Sequence, residues 1–196
     1  MNHSFFALIS RLRAIQRWGL MRNSLPENVQ EHSHMVAVLA HALALIRRDI
    51  FLVPCDPERC AALALFHDAS EILTGDLPTP IKYFNGEITA AYKQLEALAE
   101  ARLADCLPEE LHSAYAELLS PGERDRELLP LVKAADKLCA YIKCVEERKA
   151  GNLEFTSAER QTLAAVEEMA LPEADYFAEH FLPAFELNLD ELRTIG

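Results

Sequence analysis

The chain has 196 residues, a length that fits one domain and leaves little room for two. Its formal net charge of -12 argues against a protein that grips DNA or RNA, because neutralising phosphates needs clustered Lys and Arg. The hydrophobic fraction of 51% and only 6 glycines exclude a disordered chain. We therefore expect a single domain over residues 1–196 that binds no nucleic-acid polymer.

The cysteines and the N-terminal residues indicate a cellular compartment. The five cysteines are odd in number and form no CxxC pair, which favours reduced thiols over disulfides or a cysteine zinc site. Residues 1–20 carry arginines and lack a continuous apolar core, and no later segment approaches about twenty apolar residues. We expect a cytoplasmic protein that does not contact the membrane.

Hydrophobic residues recur at helical spacing along the chain, and no alternating pattern of a β-strand stands out. The first predicted helix is capped by Ser4, runs through Ile15 and ends near Trp18. Asn28 followed by Glu31 resembles a capping box, and it opens a second helix whose first turns carry a histidine. These patterns predict an all-α, bundle-like architecture.

A third helix should begin at Asp56-Pro57, an N-cap acid followed by a proline in the first turn. The apolar run behind it predicts that His67, Asp68 and Glu71 lie on this one helix, with Glu71 on the same side as the other two. Two prolines then predict a rigid loop, because proline removes a backbone donor and disfavours helix in the preceding residue. Later helical patterns cover about 87–107, 108–119, 123–150, 157–170, 173–185 and 189–193.

Four polar residues within these apolar patterns could bind one divalent metal: His32, His67, Asp68 and Asp136. Two imidazoles and two carboxylates suit Co, Mn, Ni, Fe or Zn better than Ca or Mg, which prefer oxygen ligands. Such a metal acidifies bound water and polarises a phosphoryl oxygen. Taken alone, His32 is more often a solvent-facing residue and Asp136 more often pairs with a neighbouring lysine. Only their combination favours a metal site.

Arginines precede the first acidic residue, Glu27, and make the N-terminal region locally cationic. A solvated basic helix face is the commoner explanation of such a pattern, and a site for a small anion is the alternative. The arginines concerned are Arg11, Arg13, Arg17 and Arg22.

The order His32, His67-Asp68, Asp136 resembles the H…HD…D signature of the HD-domain metal-dependent phosphohydrolases. A closer similarity is to the bacterial HD-domain 5'-deoxynucleotidases, the YfbR-like group, and it runs from the first helix to Asn152, with weaker similarity beyond. The segments that carry it are Arg17-Trp18, Met21-Arg22-Asn23, Glu27-Asn28-Val29, Glu31-His32-Ser33, His67-Asp68-Ala69-Ser70-Glu71, Leu73-Thr74-Gly75-Asp76-Leu77-Pro78-Thr79-Pro80, Lys82-Tyr83-Phe84-Asn85 and Lys133-Ala134-Ala135-Asp136.

The resemblance implies an HD-domain helical bundle that hydrolyses deoxyribonucleoside 5'-monophosphates to deoxyribonucleoside and phosphate. It also implies a homodimer with one divalent transition metal per subunit, cobalt being favoured over Mn, Ni, Fe or Zn. The metal ligands map onto His32, His67, Asp68 and Asp136.

The resemblance also assigns residues to catalysis and substrate binding. It maps Arg17 to the phosphate, Trp18 to the sugar and Glu71 to the catalytic water. We expect Trp18 to crowd the 2' position and so to exclude ribonucleotides. The remaining substrate contacts map onto Asp76, Leu77, Pro78 and Thr79, beside His32 and Asp136. Asp76 either positions the sugar or assists the departing 5'-oxygen.

Two other functions stay open from the residues. Another HD-type enzyme would attack a deoxynucleoside triphosphate and release tripolyphosphate or pyrophosphate. A non-catalytic helical sensor would use the metal only to stabilise its fold.

Overall fold

The computed structural model describes residues 3–194, and this part of the chain contains α-helices, short 3-10 and π turns, and no β-strand. The prediction of an all-α protein is therefore confirmed. The helices are α1 (Phe5–Ile9), α2 (Val29–Leu45), α3 (Pro57–Phe66), α4 (Glu71–Thr74), α5 (Thr79–Lys82), α6 (Gly86–Ala104), α7 (Glu109–Leu119), α8 (Leu129–Lys149), α9 (Thr156–Glu167), α10 (Pro172–His180) and α11 (Leu189–Thr194). The π turn is Ile46–Ile50, and the 3-10 turns are Leu12–Ala14, Glu123–Asp125, Leu153–Phe155 and Leu182–Glu186.

The centre of the fold is the packing of α2 against α3 and α8, and α9 lies along α8. Leu43 of α2, Leu63 of α3 and Leu138 of α8 are buried in one apolar core. Each such leucine stabilises the fold by about 1.5–3 kcal/mol. A second apolar cluster, around Phe5 and Leu103, holds α1 near α6 and α7. This packing brings the first turns of α2, the end of α3 and the middle of α8 together.

Side chains cap the two central helices as the sequence predicts. The Asn28 side chain accepts a hydrogen bond from the Glu31 backbone at 3.0 Å, and the Glu31 carboxylate accepts one from the Asn28 backbone at 3.5 Å. This is the predicted capping box, and it places His32 at the fourth position of α2. The Asp56 carboxylate caps α3 by accepting from the Arg59 backbone at 2.9 Å.

The predicted first helix is wrong beyond its first turns. The observed helix α1 ends at Ile9, and the chain is extended at Ile15 after a 3-10 turn. The backbone of Arg17 donates to the Glu27 carbonyl at 2.9 Å, so residues near Arg17 pair with a distant segment instead of continuing the helix. Ser4 precedes α1, but its side chain forms no capping hydrogen bond.

The predicted third helix is wrong in its second half, because α3 ends at Phe66 and a run of tight turns precedes Glu71. The Nδ1 atom of His67 lies 2.7 Å from the Ala64 carbonyl oxygen, whereas the His67 backbone nitrogen lies 3.4 Å from it. The side chain thus takes a carbonyl near the end of the helix, and local side-chain bonds of this kind compete with helix formation. The Glu71 backbone then donates to Asp68, three residues back, instead of four.

The other boundaries differ by a few residues, and proline accounts for several of them. The predicted loop after Thr74 is present, but α5 occupies its second half. Helix α8 begins at Leu129, so that Pro130 stands in its first turn, where a missing backbone donor costs nothing. Helix α10 ends at His180, and Pro183 stands in the 3-10 turn that follows it. Within residues 3–194, no helix is both long and apolar enough to cross a membrane.

Candidate functional site

The four predicted metal ligands lie together where α2, α8 and the turn after α3 meet. The Nε2 atom of His32 lies 3.1 Å from an Asp136 carboxylate oxygen and 3.6 Å from one of Asp68. The Nε2 atom of His67 lies 3.2 Å from the same Asp68 oxygen. His32, His67 and Asp68 each offer a ligand atom within 4.8 Å of the others. We call these four residues the histidine-aspartate cluster, and its binding of a metal stays a prediction.

The imidazoles of the cluster keep nitrogen atoms available for a metal. His32 is 1% exposed, and neither of its ring nitrogens has a hydrogen-bond partner in the part of the chain that the structure describes. A carbonyl can only accept, so Nδ1 of His67 donates to Ala64 and the lone pair of the neutral ring is on Nε2. That Nε2 atom is buried and likewise has no hydrogen-bond partner among residues 3–194. A buried unpaired polar atom costs about 1–3 kcal/mol, which a bound metal would remove.

The carboxylates of the cluster make this place favourable for a cation. Burial opposes a charge on His67, yet the negative Asp68 raises the pKa of its imidazole to about 9. Burial also opposes ionisation of Asp68, but the neighbouring His67, His32 and Arg17 hold its pKa well below its usual range. The pKa of Asp136 is lowered despite its burial, through its contact with His32 and the charge of His67. The donor set and the local charge therefore fit a divalent metal.

Glu71 is a buried carboxyl group beside the cluster. It is 7% exposed, and one of its oxygens has no hydrogen-bond partner within the described residues. Burial raises the pKa of Glu71 well above its usual range, and the charges of Asp68 and Asp76 raise it further. Burial also raises the pKa of Asp76. A carboxylate with a raised pKa is a stronger base, which is the property that a general base needs.

Arg17 and Trp18 lie at the same site, and both donate hydrogen bonds to the carboxylate of Glu27. The Nη1 atom of Arg17 donates to Asp68 at 3.3 Å, and its Nε atom donates to Glu27 at 3.1 Å. Asp68 and Glu27 raise the pKa of Arg17 although burial opposes them, so this side chain stays charged. The indole Nε1 of Trp18 donates to the same Glu27 oxygen at 3.0 Å. Sequence reasoning missed the role of Glu27, because ten residues separate it from Arg17 and it lies between the first two predicted helices.

A cavity of about 590 Å³ opens beside the cluster, within the size range of small-molecule sites. Asp136 lines this cavity and also contacts His32, so the cavity reaches the histidine-aspartate cluster. Arg17, Trp18, Asp76, Pro78 and Thr79 line it as well, whereas Leu77 is not part of its wall. Another part of the wall comes from α9, which the sequence did not associate with the site. Its contributions are Ala158, Gln161, Thr162 and Ala165.

Comparisons with known proteins agree with this geometry. The sequence model of the family described as 5'-deoxynucleotidase YfbR-like matches residues 4–185. The chain is 51% identical to a 5'-deoxynucleotidase of Erwinia tasmaniensis over 98% of both chains. It is 52% identical to the 5'-deoxynucleotidase YfbR of Shigella boydii serotype 18, over 96% of this chain and 94% of that one.

Solved structures share the fold at lower identity. An HD-domain phosphohydrolase from Listeria innocua superposes with a TM-score of 0.80 at 24% identity, covering 98% of this chain and 96% of that one. The cyanophage S-2L HD phosphohydrolase, solved with dA and one catalytic Zn2+ ion, gives a TM-score of 0.63 at 19% identity, covering 88% and 93%. The resemblance predicted from the residues is thus confirmed, and the chain belongs to the 5'-deoxynucleotidase YfbR-like family of HD-domain phosphohydrolases.

Proposed function

We propose that this enzyme is a metal-dependent 5'-deoxynucleotidase that converts deoxyribonucleoside 5'-monophosphates into deoxyribonucleosides and phosphate. The relatives that are about half identical over nearly the whole chain carry that activity in their names. The observation that carries the proposal is the histidine-aspartate cluster, whose buried imidazole nitrogens form no hydrogen bond within residues 3–194, beside a cavity that Asp136 and Arg17 line.

His32, His67, Asp68 and Asp136 would hold one divalent transition metal per subunit. When bound, such a metal acts as a Lewis acid and stabilises negative charge that develops on the phosphoryl group. The two nitrogens and two carboxylates suit Co, Mn, Ni, Fe and Zn. The preference for cobalt rests on the family resemblance.

Arg17 supplies the protein's own positive charge for the phosphate. Its guanidinium uses Nε and one Nη1 hydrogen on carboxylates, which leaves the Nη2 donors for a phosphate dianion. Because the pKa of Arg17 is raised, it keeps its charge over the whole working range of pH.

Glu71 takes the proton of the attacking water, because its carboxyl group lies buried beside the cluster, and the positive charge of a bound metal would bring its raised pKa down to a range where it is ionised. The water oxygen bonds to phosphorus while the bond between phosphorus and the 5'-oxygen breaks. The departing 5'-oxygen takes a proton from the Asp76 carboxyl group, whose pKa is raised, and leaves as the 5'-hydroxyl, and the proton held by Glu71 then passes to solvent. Asp76 lies in the cavity wall with Trp18, where it serves the sugar end of the substrate. We assign Pro78 and Thr79 to the same end, and Leu77 to supporting that loop.

Trp18 would give the preference for deoxyribose. Its flat ring forms part of the cavity wall beside Arg17 and Asp76. A rigid ring next to the 2' carbon excludes a hydroxyl group and offers it no polar partner.

An assay of phosphate release tests the proposal. We expect phosphate from dAMP and much less from AMP, with activity restored by Co or Mn after EDTA treatment and lost in Glu71→Ala. Tripolyphosphate or pyrophosphate from dATP would favour the triphosphohydrolase instead. An EDTA-induced fall in melting temperature, without turnover of any nucleotide, would favour the sensor. Absence of phosphate from every deoxynucleoside monophosphate would overturn the main proposal.

We further infer a single domain over residues 1–196 that works as a cytoplasmic homodimer. The continuous core shared by α2, α3 and α8 supports one domain. The dimer rests on the family resemblance, and light scattering of the purified protein at micromolar concentration tests it.

A further inference from the structure

The loop that carries Arg17 and Trp18 is shaped by its pairing with the segment around Glu27. The Arg17 backbone donates to the Glu27 carbonyl at 2.9 Å, and the Val29 backbone donates to the Ile15 carbonyl at 3.0 Å. These bonds set Arg17 and Glu27 side by side on antiparallel segments. The loop therefore begins and ends at one fixed place, the start of α2.

The Glu27 side chain then joins the two residues that face the substrate. A single oxygen, Oε2, accepts from Arg17 Nε at 3.1 Å and from Trp18 Nε1 at 3.0 Å. The Glu27 side chain is 18% exposed, so water competes only weakly for these bonds. Glu27 is not part of the wall of the 590 Å³ cavity, so it acts on a ligand there through its two partners.

Trp18 needs a hydrogen-bond partner that fixes its side chain, because its backbone is strained. Its φ of 59° lies in the left-handed region, which is costly for a bulky residue by about 1–3 kcal/mol. The Met21 backbone donates to the Trp18 carbonyl at 2.8 Å, and Phe155 packs against the indole with ring centroids 5.3 Å apart. The Glu27 carboxylate fixes the remaining freedom, the direction of the indole within its plane.

Arg17 needs the Glu27 carboxylate for a different reason. Its guanidinium lies between two carboxylates, Glu27 at Nε and Asp68 at Nη1. Without the Glu27 charge, Asp68 and Asp136 still attract the guanidinium and draw it toward the histidine-aspartate cluster. The Arg17 guanidinium would then lose the orientation that points its remaining N–H donors into the cavity.

We propose that Glu27 is a positioning residue that fixes the phosphate-binding arginine and the sugar-facing tryptophan as one unit. Selectivity for deoxyribose then depends on a carboxylate that contacts neither the phosphate nor the sugar. The inference rests on the proposed function, because it assigns the discrimination between dAMP and AMP to the same cavity.

Trp18 is the one tryptophan of the chain, so its fluorescence reports directly on the contact with Glu27. The experiment compares wild type, Glu27→Gln and the control Glu154→Gln. Glu154 accepts from the Arg22 backbone at 3.3 Å and so holds the same loop without an observed bond to Arg17 or Trp18. The measurements are the tryptophan emission spectrum with and without dAMP, and kcat/KM for dAMP and for AMP.

We expect Glu27→Gln to lower kcat/KM for dAMP about tenfold or more, the effect of losing a hydrogen bond to a charged group. The ratio of dAMP to AMP turnover should fall several-fold, and the emission maximum should shift, whereas Glu154→Gln keeps both. If Glu27→Gln does not fold, Glu27→Asp keeps the charge but shortens its reach, and it should change both measurements in the same direction.

Two kinds of failure are distinguishable. A wild-type protein that releases no phosphate from dAMP would contradict the proposed function. Normal wild-type turnover, together with unchanged selectivity and unchanged emission in the folded Glu27 variants, would overturn the role of Glu27 alone.

Discussion

Helix α8 contributes to two polar clusters that differ in how far hydrogen bonds inside the protein satisfy them. Near the end of the helix, Glu147 is 0% exposed and accepts from the backbones of Ser24 at 2.8 Å and Leu25 at 3.0 Å, and from the Asn152 side chain at 2.8 Å. Lys143 completes the set as an ion-pair partner. Burial opposes ionisation of Glu147, but these partners lower its pKa to about 2.

The histidine-aspartate cluster, to which Asp136 of the same helix belongs, is fully buried only at His32 and is left incomplete. Both ring nitrogens of His32 and one of His67 have no hydrogen-bond partner within residues 3–194. Burial alone therefore does not mark a functional site. A cluster whose bonding capacity is used inside the fold stabilises the protein, whereas one with spare capacity keeps it for a ligand.

Removing a member of the incomplete cluster should abolish chemistry without unfolding the protein. We expect Asp68→Asn to lower phosphate release from dAMP by at least about 10³-fold, because a bound metal supplies several kcal/mol of transition-state stabilisation. Metal content, measured by plasma mass spectrometry, should fall below the wild-type value, while circular dichroism keeps its helical signal. The exposed Asp49→Asn is the control. Wild-type turnover in Asp68→Asn would contradict the assignment of the incomplete cluster to catalysis.

The proposed base should affect turnover but not metal binding. We expect Glu71→Gln to lower kcat by about 10²- to 10⁴-fold, the usual contribution of general base catalysis, with metal content unchanged. Glu58→Gln, on the surface of α3, is the matched control. A loss of metal in Glu71→Gln would show instead that Glu71 belongs to the ligand set.

The complete cluster should behave in the opposite way. We expect Glu147→Gln to lower the free energy of unfolding by about 3 kcal/mol, because it leaves buried Lys143 without its charge partner. Urea denaturation measures this loss. Glu146→Gln, the exposed neighbour on the same helix, should stay within about 0.5 kcal/mol of wild type. If the two variants were equally stable, the Glu147 network would not be the support that its hydrogen bonds indicate.

Two buried carboxyl groups, Glu147 and Glu71, should respond to pH with opposite signs. The pKa of Glu147 is lowered from 4.5 to about 2, so its stabilisation is complete above pH 4.5 and is lost as the pH falls toward 2. The pKa of Glu71 is raised, so the folded metal-free protein loses stability as the pH rises above the usual range of a glutamate. Melting temperatures with EDTA, from acid to alkaline pH, measure both slopes. Because the pKa of His67 is also raised, to about 9, part of the alkaline slope belongs to that imidazole. Glu71→Gln should therefore reduce the alkaline slope and leave the acid one, and an alkaline slope equal to that of wild type would assign all of it to His67.

The amino-acid sequence by itself determined much of the fold and the residue types of the site. Local chemistry predicts the caps at Asn28 and Asp56, because a side-chain oxygen three residues before a free backbone donor needs no distant partner. The prolines near Thr79 likewise predict the end of the preceding helix, because proline lacks a backbone donor and disfavours helix in the residue before it. The metal-ligating types of His32 and Asp136 were recognisable for the same reason, since their chemistry is a property of each side chain.

Only the tertiary structure decided which groups meet and with what orientation. The pairing of Glu27 with Arg17 and the wall that α9 adds to the cavity are contacts between distant parts of the chain, and no periodicity records them. The helix pattern also failed at His67, where the ring prefers the Ala64 carbonyl to helical continuation. Helical spacing reports which residues turn toward the core, but the hydrogen bonds that end a helix or fix a loop depend on partners that packing supplies.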